Sequence, residues 1–413
     1  MQMKPEQLKL IKEQFLSLKQ RSPFYKSKFE GINLEDVQSQ ADFEKLPFSE
    51  KQDLRDVYPL GLQAVPDKEV VRIHSSSGTT GTPVIIPYTQ ADVDSWAHMF
   101  ARCYSTAGIT NIDRIQITPG YGLWTAGIGF QLGCEKLGAM AIPMGPGNTE
   151  KQLKMMQDLH TTVITGTSSY ALLLAEEISK RNLRDKLDLR CGVIGSERWG
   201  DKMRARIANE MGIEIFDIYG LTEVYGPGIG ISCKAHAGMH IWQDYIYCEI
   251  VDPKTGEVLP DGEVGELVLT TLRKQGAPLI RYRTHDLTRI IPGSCTCEHK
   301  DNHPRIDTIT GRTDDMFKVK GCNMFPAQVE EVLNFTDGAS SEYQVMIEAV
   351  NGRDVLNVLF ETPLEGDKLT ACEQQLEAIF KAKIGCTPKA KGVPLGELPR
   401  SEKKTKRIFD SRY

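Results

Sequence analysis

The chain has 413 residues, 40% of them hydrophobic and 25% charged, with a formal net charge of −5 at pH 7. That length is long for one domain, so two or three are expected, and the charge gives no sign of a nucleic-acid or anionic-membrane partner. No apolar run approaches the roughly 18–20 residues that span a bilayer, and the ten cysteines in a chain of this size do not form the disulfide framework of a small secreted domain.

At the N-terminus, Leu8, Ile11, Phe15 and Leu18 recur at helical spacing among charged residues. This predicts an amphipathic helix packed on the body of the protein. The segment lacks the apolar core of a signal peptide, so a cytoplasmic location is expected. From about residue 70 to 290, β-rich runs alternate with stretches of helical period: RIQIT at 114–118, TVIT at 162–165, GVIG at 192–195 and EIFDIY at 214–219. Between the last two lies a helical DKMRARIANEM closed by Gly212, where glycine suits a helix C-terminus. Strand, helix, strand in this order predicts a parallel sheet with crossover helices. VGELVLTT at 264–271 and the run 288–291 predict a more antiparallel section. Beyond a boundary near Gly311–Asp315 the chain reads as a small α+β unit. It has a strand at FKVKG, a helix from Pro326 to about Asn334, strands near 343–349 and 355–360, a helix over about 367–382, and then a basic tail. The fold class is therefore α/β, with domains at 1–313 and 314–413.

Residues 75–83 read SSSGTTGTP. Glycines let the backbone turn and present its N–H groups, while Ser and Thr add hydroxyl donors, which is the chemistry of a polyphosphate cradle. The same composition also makes a solvated turn. The segment lacks the G-K-[ST] ending of a Walker loop.

Further motifs follow in order: YGLTE at 219–223, RYRTHDL containing Asp286, GRTDD at 311–315, GCNMFPAQVEE after it, and PRSEKKTKR near the C-terminus. Together with SSSGTTGTP, this ordered set resembles the adenylate-forming (ANL) superfamily of acyl-CoA synthetases, adenylation domains and luciferases. The resemblance covers about residues 75–407. YGLTEVYGPG, HIWQDY and GRTDDMFKVKG are most similar to its phenylacetate–CoA ligase family. Many superfamily members place a lysine after the loop proline; this chain has Val84, so the phosphate contacts must rest on loop donors, Mg²⁺ and a lysine from elsewhere.

The resemblance implies a large N-terminal adenylation domain, a small mobile C-terminal domain, and ATP, Mg²⁺ and coenzyme A as cofactors and substrates. The implied reaction is AMP-forming ligation of an aromatic acid to coenzyme A through an acyl-adenylate. Alternatives are an adenylyl transferase that stops at an adenylylated product, adenylation for a carrier-protein acceptor, or a nucleotide-binding pseudoenzyme. The partners implied are small molecules, with neither nucleic acid nor membrane; a homodimer is an open alternative. Residue by residue, Ser76, Ser77, Gly78, Thr79, Thr80 and Gly81 would hold the β- and γ-phosphates, and Glu223 would ligate Mg²⁺. Ser196, Glu197, Arg198, Asp217, Tyr219, Gly220 and Thr222 would form the adenine side. Asp286 and Arg312 would grip the ribose. Lys404 would bridge the attacking carboxylate and the α-phosphate, with Arg407 completing its motif; Lys403 and Lys406 are rivals. Asp314 would be the hinge, and the stretch from Lys318 through Lys320 and Gly321 part of the coenzyme A side. Tyr121, Gly122, Trp124, Gly127, Gly145, Tyr225, Gly226 and Pro227 would line the acid pocket. Aromatic walls favour a flat apolar acid such as an arylacetate.

Finally, Cys295 and Cys297 in GSCTCEHK, with Cys233 and His240 in SCKAHAGMH, offer the donors of a tetrahedral Cys₃His zinc site. C-x-C is a less telling spacing than C-x₂-C, His236 and His299 are alternative ligands, and free thiols are the bland alternative. Cysteines in related ligases support a closed, structural zinc.

Overall fold

The N-terminal apolar stripe forms the helix Pro5–Arg21, which buries Ile11, Phe15 and Leu18. Phe15 stacks on Phe29 with ring centroids 4.3 Å apart, and Gln7 donates to the carbonyl of Gln243 at 2.9 Å. The helix is thereby fastened to residues far along the chain. These details come from a computed structural model; the residues described are 2–76, 82–197, 199–297, 303–320, 322–350, 353–401 and 405–412.

The largest sheet has nine strands. Met140–Pro143, Arg114–Ile117, Val163–Thr167, Cys191–Gly195 and Glu214–Leu221 run parallel, in that spatial order. Helices Ala126–Leu137, Thr149–Asp158, Ser168–Lys180 and Asp201–Met211 make the crossovers, as parallel neighbours require. Gly212 ends the last helix in the left-handed region. From Glu214–Leu221 the sheet continues antiparallel through Gly226–Ser232, Met239–Ile241, Arg305–Ile306 and Ile290–Ile291. Asp113 locks the base of the parallel half, accepting from Arg190 at 2.9 and 2.6 Å and from Thr162 at 2.8 Å.

Ile246–Val251, Gly265–Thr271, Tyr282–Thr288 and Gly311–Arg312 form a second, antiparallel sheet of four strands. The predicted strand 288–291 is divided: its start belongs to this sheet and its end to the nine-stranded one. Arg281, fully buried, holds Glu249 at 3.2 and 3.0 Å and also donates to the carbonyls of Glu44 and Leu46. A buried guanidinium is tolerable only with such complete pairing.

Residues from Val319 to Cys386 enclose a separate core, built on helices Pro326–Asn334 and Gly366–Ile384 and the strands Tyr343–Val350 and Arg353–Glu361. The expected basic tail is corrected. Lys389–Val393 and Ile408–Asp410 add to both edges of that pair in parallel register. Arg400 holds the buried Glu361 at 2.8 Å through two nitrogens, and Arg407 lies over the Tyr343 ring. Alternating and paired cations allow a basic sequence to form part of a sheet. Among the described residues, no helix is long and apolar enough to cross a membrane.

Candidate functional site

The site gathers at the carboxyl ends of the parallel strands, where open α/β sheets leave a crevice. Strands Arg72–Ser75 and Ile85–Tyr88 pair antiparallel, with Ser75 opposite Ile85, so the Ser/Thr/Gly segment is the loop between them. Ser76 and Val84 close its neck: each backbone N–H is bonded across it, Ser76 N to Val84 O at 3.0 Å and Val84 N to Ser76 Oγ at 2.9 Å. The Val84 side chain is buried in the core, which accounts physically for an apolar residue there. Ser77, Gly78, Thr79, Thr80 and Gly81, together with Arg198, Gly321, Lys403 and Lys404, lie outside the described residues.

YGLTE forms the end of one strand and the start of a hairpin loop. Gly220 stands opposite Pro227 and Leu221 opposite Gly226. A Cβ at Gly220 would lie 2.0 Å from the Gly226 carbonyl oxygen, so only glycine fits. Gly226 has φ +103°, and a Cβ there would meet Trp96 and Thr125. These two glycines fix the loop 222–225. Thr222 shares a 3.2 Å hydrogen bond with Thr125 of the aromatic loop, joining the two expected substrate elements. Glu223 is buried, 4% exposed. Lys51 Nζ lies 3.0 Å from its Oε1, an electrostatic contact without hydrogen-bond alignment. Lys51, on the helix Lys51–Asp56, went unrecognised in the sequence, because no local pattern distinguishes it from other surface lysines.

Tyr219, Asp286, Arg312 and Asp314 form one chain of contacts. Tyr219 donates its hydroxyl to Asp286 Oδ2 at 2.6 Å, and Arg312 reaches Asp286 Oδ1 at 3.0 Å. Arg312 also grips Asp314 at 2.8 and 2.9 Å. Burial raises the Asp286 carboxyl above the usual range, opposed by Arg312 and Tyr219. Burial also pushes Asp314 up, but the hydrogen bond and charge of Arg312 outweigh it and hold that carboxyl low. Burial, with the nearby Asp286 charge, raises the Tyr219 phenol well above its ordinary value.

On the expected adenine side, Ser196 follows its strand at φ +70°, an uncommon conformation for serine. Glu197 accepts from Ser168 Oγ at 3.0 Å, from Ser169 N at 3.0 Å and from Ser169 Oγ at 2.5 Å. Its other oxygen accepts from the Thr405 backbone at 2.9 Å, so the residue after Lys404 docks on this loop. Asp217 departs from expectation. Its carboxylate is occupied by Trp199 Nε1 at 2.9 Å and by Arg204, so it supports the helix Asp201–Met211 instead of offering an adenine acceptor. Of the lysine rivals, Lys406 is exposed and lies over Phe409.

Within the expected acid pocket, Tyr121 is half-buried, with its ring against Gly127 and Gly145, and Gly122 and Trp124 are exposed. The Tyr121 hydroxyl is buried without a hydrogen-bond partner among the described residues. Tyr225 does not present its ring to this space. It is fully buried beneath Lys274, whose ammonium lies 4.3 Å from the ring centre, and its carbonyl accepts from Tyr88 at 2.9 Å. Pro227 is engaged through its carbonyl by Trp96 at 2.8 Å. Lys320 is exposed and donates to the Thr387 carbonyl at 3.0 Å.

Away from this crevice, Cys233, His240, Cys295 and Cys297 have their donor atoms all within 4.8 Å of one another. Cys233 and Cys295 sulfurs are 3.6 Å apart, and Cys297 Sγ is 3.5 Å from His240 Nε2. A tetrahedron with zinc–sulfur bonds of about 2.3 Å has edges of about 3.8 Å, so the donor set fits zinc. His236 points elsewhere, to Glu214 at 3.0 Å, and His299 lies outside the described residues.

Residues 22–272 match the family model described as AMP-binding enzyme, and residues 321–412 the one described as AMP-binding enzyme C-terminal domain. The phenylacetate-coenzyme A ligase of Escherichia coli is 43% identical over 94% of this chain and 90% of its own. The Pseudomonas putida protein of the same name is 41% identical with the same coverage. Among solved structures, 2-hydroxyisobutyryl-CoA ligase in its postadenylation state, 26% identical, superposes with TM-score 0.88 over 98% of this chain and 89% of its own. The same ligase in its thioesterification state, 27% identical over the same shares of the two chains, gives 0.72.

Proposed function

The chain belongs to the AMP-binding enzyme family, and from that premise we propose that it ligates an aromatic, phenylacetate-like acid to coenzyme A in two steps. The acid first attacks the α-phosphorus of ATP, releasing pyrophosphate and leaving an acyl-adenylate; the thiol of coenzyme A then displaces AMP. The observation that carries this reading is the contact chain of buried Tyr219 and Asp286 with half-buried Arg312, beside the hairpin tip bearing Glu223.

Joining two anions requires neutralised charge and reactants held in line. Asp286 offers carboxylate oxygens to the ribose hydroxyls, with Arg312 beside it and Tyr219 against the base. Glu223 offers a carboxylate oxygen to Mg²⁺, a hard cation that prefers oxygen ligands. Lys51 supplies positive charge next to it, and Lys404 is the lysine that meets the acid and the α-phosphate. The docking of Thr405 on Glu197 supports Lys404 over Lys406. The aromatic loop, with Tyr121 against Gly127 and Gly145 and Trp124 against Gly120, favours an aryl acid over an aliphatic one. The two units of the chain are arranged more like the postadenylation relative than the thioesterifying one, so the structure is read as the adenylate-side state. The Cys₃His cluster holds one Zn²⁺ that closes the far end of the large sheet, at about 20 Å along the strand from Gly226, and takes no part in catalysis.

A panel of carboxylic acids tests the reading through two assays: acid-dependent ATP–pyrophosphate exchange without coenzyme A, then thioester release on its addition. Phenylacetate or a close aryl relative should give the fastest exchange. Exchange with no acid in a broad panel would reject the ligase assignment, and exchange without thioester release would favour a different acceptor.

A further inference from the structure

Lys202 belongs to the helix Asp201–Met211 of the large unit, yet its ammonium donates to three carbonyls of the small one: Leu333 at 2.6 Å, Thr336 at 3.1 Å and Ala339 at 2.9 Å. These acceptors lie at the end of the helix Pro326–Asn334 and in the turn beyond it. There the helix ladder has ended, the Leu333 and Thr336 carbonyls accept turn bonds from Thr336 N at 3.1 Å and Ala339 N at 3.3 Å, and the helix dipole presents its negative end. Gly200, just before Lys202, approaches Glu330 and Asn334 of the same helix. A second junction lies nearby. Glu176, on the helix Ser168–Lys180, accepts from Arg400 at 2.6 Å while also pairing with Arg206 at 2.7 Å; Arg400 in turn holds the buried Glu361. The third is Thr405 on Glu197 and Ser169, at 2.9 and 2.7 Å.

The first junction ties the helix Pro326–Asn334, and the other two tie the residues on either side of Lys404, to the helices Ser168–Lys180 and Asp201–Met211 and the loop at Glu197 of the large unit. None of them uses a residue assigned to the ribose, the phosphates or the acid. Turning the small unit by more than a few ångströms would separate Lys202 from all three acceptors at once, and Glu176 from Arg400.

We propose that Lys202 and Glu176 are positioning residues for the first half-reaction alone: they form a clasp that holds the small unit in the adenylate-forming arrangement and must open before the thiol is admitted. The inference rests on the two-step ligase reading. It assigns to these side chains a preference between states, not contact with any reactant.

The test uses the full chain with Lys202→Met, Lys202→Arg and Glu176→Gln. Acid-dependent pyrophosphate exchange should fall about tenfold in K202M, with a smaller loss in E176Q. Thioester formation from supplied acyl-adenylate should stay within about twofold of the parent, because that step occurs with the clasp open. K202R, which keeps a multidentate cation, should recover most of the exchange. A readout independent of any acid is tryptic cleavage at Lys318 and Lys320, both exposed beside the hinge, with AMP present. It should accelerate several-fold in K202M and in E176Q, as the held state loses population. Equal loss of both half-reactions, or unchanged exchange and cleavage in both variants, overturns the clasp. If no acid supports exchange but cleavage accelerates in both, the ligase reading fails and the clasp stands.

Discussion

Asp286 and Arg312 face each other across an antiparallel register pair and are joined by a 3.0 Å ion pair. The strand Gly311–Arg312 is the last one of the large unit's second sheet, and Asp314 follows two residues after that arginine. Arg312 therefore links the expected ribose carboxylate to the expected hinge residue through a single side chain. Asp286→Asn keeps the shape and removes the charge. It should raise the KM for ATP at least about tenfold, the scale of a charge-assisted hydrogen bond, while leaving the KM for the acid nearly unchanged. Steady-state kinetics in each substrate checks this; a shift confined to the acid would reject the ribose role.

At Gly220 the constraint is steric. An added methyl group would lie 2.0 Å from the carbonyl oxygen of Gly226, so Gly220→Ala must push the hairpin apart and carry Glu223 with it. Pyrophosphate exchange should drop by about two orders of magnitude, with far-ultraviolet circular dichroism preserved. Near-normal exchange would mean that the loop 222–225 does not need its position.

Lys51 and Glu223 form a partly buried pair, 34% and 6% exposed at the side chains. Lys51→Ala removes the cation 3.0 Å from the expected Mg²⁺ ligand in a site whose expected phosphate loop is followed by valine. The KM for ATP should rise about tenfold and acquire a stronger dependence on Mg²⁺ concentration. Glu223→Gln should instead depress kcat at saturating ATP. A K51A enzyme with parental ATP kinetics at every Mg²⁺ concentration would remove Lys51 from the site.

For the Cys₃His cluster, purified protein should carry about one zinc per chain, and Cys295→Ser about none. Strong chelation at neutral pH should lower the midpoint of thermal unfolding by several degrees, because metal affinity is folding free energy. Elemental analysis with a parallel melting curve measures both. Metal-free protein of unchanged stability would reject the zinc site.

Glu361 gives a pH prediction. Burial raises its carboxyl, but Arg400 and backbone N–H donors more than offset this, so its folded-state pKa lies below the ordinary 4.5. A depressed carboxylate contributes stability that is present above the unfolded value and lost as pH falls through the folded one. The stability gap between the parent and Glu361→Gln should therefore be widest near neutrality, at about 3 kcal/mol for breaking a buried pair, and should narrow below about pH 4.5. Denaturant titrations between about pH 3 and 7 report it. A gap independent of pH would assign the loss to packing alone.

Local pattern determined much of this molecule. The stripe Leu8, Ile11, Phe15, Leu18 specified a docked helix, and the alternating runs from Arg114 to Tyr219 specified parallel strands, because side-chain periodicity is a property of neighbouring residues. The ordered motifs likewise grouped the Ser/Thr/Gly loop, Glu223, Asp286 and Arg312 as candidates for one chemistry, and the Cys and His residues at 233, 240, 295 and 297 suggested another. What tertiary structure decided were the partnerships across long sequence separation. It brought Lys51 to Glu223 and turned Asp217 towards Trp199 and Arg204. It buried Tyr225 under Lys274, and it made two strands from a segment that reads as a basic tail. Each of these depends on which surface another part of the chain presents, and charge, burial and close approach at such contacts exist only once the fold has brought them together.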